Sequence, residues 1–113
     1  MKELDQEFIQ SIQRLQTRAF ENAKAKGFCD SERNDGEVLM LIVSELAEAL
    51  EALRKGNPPD DKLPQHSNFV VELADAFIRI LNYAGEKNLN LAEAVLDKMK
   101  YNESRPYKHG KLF

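Results

Sequence analysis

The chain has 113 residues, of which 42% are hydrophobic and 31% are charged, and its net charge is −3 at pH 7. This length suits one domain, and the composition is that of a globular rather than a disordered protein. A net negative surface does not favour binding to nucleic acid or to an anionic membrane, because both need a positive field. Cys29 is the only cysteine, which excludes an intrachain disulfide and a thiolate zinc cage.

No segment of the sequence has the character of a targeting or membrane-spanning segment. The N-terminal residues MKELDQEF lack the apolar stretch of a signal peptide. The longest apolar run, residues 38–43, is too short to span a bilayer. We therefore expect a soluble, cytoplasmic protein without a membrane partner.

Apolar residues recur at helical spacing through most of the chain, which predicts an all-α fold. The first helix carries an apolar stripe from Phe8 to Ala23 and should stop near Gly27, a residue that readily adopts a left-handed conformation. Asp35 can cap the second helix. That helix should end at Gly56, because two prolines follow it closely.

Two further helices are predicted in the second half of the chain. A connector rich in Pro and Asp leads to the third, which starts at Ser67 or a neighbour and continues through NFVVELADAFIRILNYAGEK. The fourth opens at Asn90, where Glu93 three positions later resembles a capping box, and frays near Asn102. The tail, residues 104–113, is predicted to be irregular. The expected architecture is one four-helix bundle that spans the whole chain.

The predicted third helix is apolar around most of its circumference, as is typical of a helix in the middle of an assembly. Its polar residues form one narrow seam, with spacings of three, four and three: Glu72, Asp75, Arg79 and Asn82. Carboxylates beside so much apolar surface are costly unless cations or hydrogen bonds satisfy them. Arg79 is one candidate for the neutralising cation.

The second helix carries a matching anomaly. Glu45 falls inside its apolar arc and Glu48 lies at the edge of that arc. In this pair, and in the pair of Glu72 and Asp75, the three-residue spacing places the two Cβ atoms roughly 5–6 Å apart on one helix face. If the two helices pack antiparallel, the pairs face each other across the interface.

Four carboxylates that converge without a counterion repel one another and take up protons. An oxygen-rich anionic site suits a hard cation, so we expect Mg²⁺, with Mn²⁺ as a substitute, rather than zinc. The alternative is that each pair lies on a solvated helix surface, where such spacing is common. Two pairs on adjacent helices, both intruding on apolar surface, favour the metal site.

These segments together resemble the MazG-like family of all-α nucleoside triphosphate pyrophosphohydrolases, in particular its dCTP-pyrophosphatase-like branch. The family signature is Glu-Glu-x-x-Glu on one helix and Glu-x-x-Asp on the next. Here the first part reads SELAE, with Ser44 in place of the leading Glu, and the second reads ELAD. Downstream, KMKYNESRP is similar to a Lys-Met-x-x-Asn segment of that branch, so the resemblance covers residues 35–111.

The resemblance implies that a nucleoside triphosphate and water are converted to the monophosphate and pyrophosphate by a metal-activated water that attacks the α-phosphorus. The implied metal ligands are carboxylates of the second and third helices: Glu45, Glu48, Glu72 and Asp75. Glu45 or Glu48 would also act in catalysis by orienting the water. The implied triphosphate contacts are Lys98, Asn102 and Arg105, although their spacing alone fits a solvated helix end equally well.

The apolar third helix and the resemblance both predict a homodimer or homotetramer that completes the bundle. Two other interpretations of the sequence stay open. A helical oligomer could bind metal or nucleotide without turnover, with activity lost together with the leading Glu that Ser44 replaces. A structural adaptor could instead pair its seam charges with Arg79 and with a partner protein.

Overall fold

The computed structural model describes residues 2–112, and the side chains of all of these except Lys2 and His109. Four α-helices make up most of this range: α1 Lys2–Ala25, α2 Asp35–Arg54, α3 Asn68–Glu86 and α4 Leu91–Glu103. A single 3-10 turn, Tyr107–Gly110, follows α4. The predicted all-α fold is confirmed for the described part of the chain. No helix within residues 2–112 is both long and apolar enough to cross a membrane.

The helices α2 and α3 begin at or next to the capping residues predicted from the sequence. Ser67 caps α3, because its side-chain oxygen accepts a hydrogen bond from the Val70 amide at 3.3 Å. The cap of α2 is Asn34, whose Oδ1 accepts from the Glu37 amide at 3.2 Å. The prediction of Asp35 as the cap is wrong by one residue, because Asn and Asp cap helices about equally well and both occur here.

The C-terminal part differs from the prediction in two details. Asn90 precedes α4 as predicted, but its Nδ2 donates to Glu93 Oε2 at 2.9 Å instead of its oxygen capping the helix. The tail, predicted as irregular, contains the 3-10 turn of residues 107–110. Pro106 precedes this turn at φ −68°, and Gly110 ends it at φ +76°, a conformation that glycine adopts without strain.

The third helix, α3, is the centre of the bundle. It packs against both α1 and α2, while α4 packs on α1. A close approach between helices occurs at Gly85, where a Cβ atom would lie 2.7 Å from the Cβ of Phe20 and 3.1 Å from the Gln16 carbonyl oxygen. Because a methyl group would overlap both α1 residues, this contact requires glycine.

The buried core is small and consists mostly of alanine. Seven hydrophobic residues of the described range are buried, five of them alanines: Val38, Ala49, Ala52, Ala76, Leu81, Ala84 and Ala92. Larger side chains stay half exposed, including Leu46 and Leu53 of α2, which are both 48% exposed. Short alanine side chains at the helix contacts leave these leucines at the edge of the interface.

Gly85→Ala is expected to lower the free energy of unfolding by about 1–3 kcal/mol, the usual cost of an extra methyl group in a packed contact. Urea denaturation followed by circular dichroism measures the change. The control is Gln10→Ala, at an exposed position inside α1 where alanine favours the helix. Its stability should be unchanged or higher. Equal stability of the wild type and Gly85→Ala would contradict the close approach of α1 and α3.

Candidate metal centre

The two predicted carboxylate pairs meet between α2 and α3. Glu45 of α2 and both Glu72 and Asp75 of α3 offer carboxylate oxygens that lie within 4.8 Å of one another. We refer to these three residues as the acidic cluster. Residues that interrupt the apolar pattern of two separate helices are thus adjacent in space.

Glu48 lies beside the acidic cluster rather than within it. It lines a cleft together with Glu72, and its carboxyl group adds to the effect of burial in raising the pKa of Glu72. Glu48 is exposed, whereas Glu45, one turn earlier on α2, is buried. All four predicted carboxylates are therefore neighbours, with Glu48 on the solvent side.

Arg79 is the cationic partner of the buried carboxylate. Its Nε donates a hydrogen bond to Glu45 Oε1 at 2.9 Å. Glu45 is only 8% exposed, and a buried carboxylate without a cation nearby is strongly disfavoured. The side chain of Arg79 is 39% exposed, so its guanidinium group also reaches solvent. The structure thus pairs the candidate cation of the α3 seam with one specific carboxylate.

Asn68 and Asp60 hold the other side of the acidic cluster, and the sequence analysis missed both. Asn68 Nδ2 donates to Glu72 Oε1 at 3.3 Å and to Asp60 Oδ1 at 2.9 Å. Asp60 also accepts hydrogen bonds from the amides of Leu63 and Lys62, and the bonds from Leu63 and Asn68 lower its pKa most. The one available signal was local: Asn68 precedes Glu72 by four residues, which places both on one helix face.

The acidic cluster carries more negative charge than its surroundings neutralise. Burial, together with the nearby carboxyl groups of Glu48 and Glu45, raises the pKa of Glu72 to about 7. Burial and the charge of Glu45 also raise the pKa of Asp75, although Arg79 opposes this effect. The Oε2 atom of Glu72 is buried and has no hydrogen-bond partner among the described residues. A cation that binds oxygen would satisfy this atom and the excess charge together.

Two clefts open onto the carboxylates. One, of about 270 Å³, lies among α1, the loop after it, α2 and α3, and its lining includes Glu45, Asp75 and Arg79. The other, of about 200 Å³, lies beside Glu48 and Glu72 where α2 leads into its loop. Although Glu45 is buried, its neighbours are therefore accessible to an ion or a small ligand.

The predicted triphosphate contacts lie on another part of the bundle. Lys98 and Asn102 belong to α4, and Arg105 follows it. Lys98 Nζ lies 4.7 Å and Arg105 Cζ 5.5 Å from the centroid of the Tyr101 ring, so both cations contact an aromatic face. Both clefts beside the carboxylates are lined by α1, α2, α3 and their loops. A single copy of the chain therefore does not bring these three residues into a cleft with the carboxylates.

The raised pKa of Glu72 predicts a pH dependence of stability in the presence of a chelator. The folded state binds this proton more tightly than the unfolded state, whose pKa is close to 4.5. The free energy of unfolding should therefore fall as pH rises from 4.5 to about 7 and level off above that. Asp75, whose pKa is also raised, adds to the same trend.

Urea denaturation across this pH range tests the prediction. Glu72→Gln should reduce the decline, whereas Glu37→Gln, at the exposed start of α2, should keep the wild-type slope. A wild-type free energy of unfolding that rises with pH through this range would contradict the raised pKa of Glu72.

The function of this site has to be inferred from its own chemistry. No family model, curated protein or solved structure matches the chain. What the residues offer is a set of three convergent carboxylates, an arginine paired with one of them, and a buried Glu72 Oε2 without a hydrogen-bond partner among the described residues. These features fit a centre for a hard divalent cation.

Proposed function

We propose that this chain is a Mg²⁺-dependent nucleoside triphosphate pyrophosphohydrolase, which converts an NTP or dNTP and water to the monophosphate and pyrophosphate. The observation that carries the proposal is the convergence of the Glu45, Glu72 and Asp75 carboxylates within 4.8 Å. The resemblance of the SELAE and ELAD segments to the MazG-like signature requires such a convergence. Glu48, the fourth carboxylate of that signature, lies directly beside Glu72.

The residues of the acidic cluster would hold the cation, with Mn²⁺ as an alternative to Mg²⁺. Mg²⁺ is commonly bound through a few carboxylates together with substrate phosphates, which suits three carboxylates at the side of a cleft. When bound, the ion supplies charge neutralisation at the triphosphate and acidifies water. Glu72, whose pKa is about 7, gives up its proton readily near neutral pH as a cation arrives.

Glu45 and Glu48 are the two candidates for the residue that orients the attacking water. Glu45 is buried and already accepts a hydrogen bond from Arg79. Glu48 is exposed and lines a cleft, so a water molecule can reach its carboxylate directly. We therefore favour Glu48 for this role and Glu45 for cation binding.

We further propose that the active form is a homodimer or homotetramer. Exposed apolar side chains form a stripe with three- and four-residue spacing on each of two helices: Leu39, Val43, Leu46, Leu50 and Leu53 on α2, and Val70, Leu73, Phe77 and Ile80 on α3. Within the described range, no large side chain is fully buried. A second copy that covers these stripes would supply the apolar burial that one copy lacks.

Assembly also bears on the proposed triphosphate contacts. Lys98, Asn102 and Arg105 lie outside the clefts beside the carboxylates of their own copy. Their proposed role therefore requires that α4 of one copy approaches the acidic cluster of a neighbouring copy. The Arg79–Glu45 pair also suits the alternative of a structural adaptor, since it satisfies a buried carboxylate internally.

Activity is tested by pyrophosphate and monophosphate release from a panel of standard and modified nucleoside triphosphates, with Mg²⁺, with Mn²⁺ and with EDTA. Products should form only with metal. Glu72→Gln should lower turnover by more than about 100-fold, because losing even an outer-shell partner of a metal costs about 10–100-fold. Glu37→Gln removes the same charge from an exposed position and should keep wild-type turnover.

Two negative outcomes would lead to different conclusions. A folded protein that binds metal but turns over no substrate of the panel would indicate binding without catalysis. A protein whose melting temperature does not respond to Mg²⁺ or Mn²⁺ would support the adaptor, because a ligand of the folded state must stabilise it.

Light scattering tests the assembly. The wild type should have the mass of a dimer or tetramer at micromolar concentration, whereas Phe77→Asp and Leu50→Asp should shift it toward the monomer. Each places a charge on an apolar stripe of a helix. Leu4→Asp, at a 65% exposed position near the start of α1 and outside both stripes, is the matched control and should leave the mass unchanged. A wild type that is strictly monomeric would contradict the proposed assembly.

A further inference from the structure

Arg79 lies between the acidic cluster and the larger of the two clefts. Its Nε donates to Glu45 Oε1 at 2.9 Å, and its 39% exposed side chain lines the cleft together with Asp75. Among the hydrogen bonds of the described residues, only this Nε–H of the guanidinium group is used. A guanidinium group carries further N–H donors in a rigid fork, so Arg79 has donors to offer to a ligand in the cleft.

A divalent cation bound by the acidic cluster would compete with Arg79. The ion would need an oxygen of the same Glu45 carboxylate whose Oε1 now accepts from Arg79. Like charges at such short range repel, most strongly where solvent is partly excluded. Because Glu45 is 8% exposed, it needs one positive partner at all times, and either cation can serve. The two cations therefore compete for the Glu45 carboxylate.

The cleft provides a place for a displaced guanidinium group, and a triphosphate provides a partner. Phosphate oxygens match the guanidinium fork with two parallel hydrogen bonds. The other arginine that lines this cleft, Arg33, pairs through its terminal nitrogen with Glu86 at 3.0 Å rather than with the acidic cluster, although its buried Nε has no hydrogen-bond partner among the described residues. Arg79 is therefore the arginine of this cleft that an arriving cation would release for the anion that accompanies it.

We propose that Arg79 is a substrate-binding residue that exchanges partners: it neutralises Glu45 in the metal-free protein and moves to the phosphate oxygens when metal and nucleotide bind. This inference rests on the proposed function of the acidic cluster and specifies how its binding steps are coupled. Metal alone binds weakly, because it competes with Arg79 for the Glu45 carboxylate. Metal and nucleotide bind cooperatively, because the nucleotide gives the displaced guanidinium group a new partner.

The test is calorimetric titration at alkaline pH, where the carboxyl groups are ionised, with Mn²⁺ alone and with Mn²⁺ plus a non-hydrolysable α,β-methylene triphosphate analogue. Arg79→Met should bind Mn²⁺ alone about tenfold more tightly than the wild type, because a competing charge is gone. It should bind the analogue about tenfold more weakly with Mn²⁺ present, so the cooperativity is lost. Arg54→Met, at the exposed end of α2, should change neither affinity.

Arg79→Lys is a second variant for the case in which Arg79→Met does not fold. Lysine keeps the positive charge beside Glu45 but lacks the forked N–H donors of the guanidinium group. This second variant should bind Mn²⁺ alone nearly as the wild type does and lose affinity for the analogue. Equal Mn²⁺ affinities of the wild type and Arg79→Met, or unchanged analogue affinity in both variants, would overturn the exchange. The expected affinities without any pyrophosphate release would support the exchange and overturn the proposed reaction. Absence of Mn²⁺ binding to both the wild type and Arg79→Met would overturn both.

Discussion

The burial of the Glu45 carboxylate between two helices is the constraint on which the site depends. At 8% exposure, this group cannot be charged without a cation beside it, and Arg79 supplies that cation at 2.9 Å. The pair joins α2 to α3 at the level where Glu72 and Asp75 also converge. Burial and the neighbouring carboxylates, which one arginine does not balance, raise the pKa values of Glu72 and Asp75. The protein thus holds an electrostatic imbalance that a divalent cation would relieve.

The two sides of the acidic cluster differ in how they are held. On one side, the α2–α3 loop folds around Asp60, and Asn68 connects Asp60 to Glu72. This chain of hydrogen bonds orients one oxygen of Glu72 and leaves the other buried without a partner. On the other side, Arg79 is bound by a single hydrogen bond and stays partly exposed. A ligand would therefore meet one preorganised carboxylate and one cation that can change partners.

Alanines at the helix contacts connect the site to the proposed assembly. Ala49 and Ala52 of α2 and Ala76 of α3 are buried, and side chains this short bury little apolar surface. They let the backbones come close enough for carboxylates of both helices to meet. With alanines at these contacts, leucines such as Leu46 and Leu50 remain about half exposed on α2. A tight carboxylate site and an incomplete apolar core are thus two results of one packing arrangement, and a second copy would complete the core.

Local signals in the sequence determined the helices, their approximate ends and the carboxylate pairs, because helical period, capping and three-residue spacing depend on residues close in the chain. Contacts between distant segments were decided by tertiary structure alone. Only the packing of α3 on α2 shows that Arg79 binds Glu45 rather than its near neighbour Asp75. The fold of the loop before α3 brings Asp60 to Asn68, and the position of α4 leaves Lys98 outside the clefts of the carboxylates. Spacing along one helix sets which residues share a face, but the partner of that face depends on how separate helices pack.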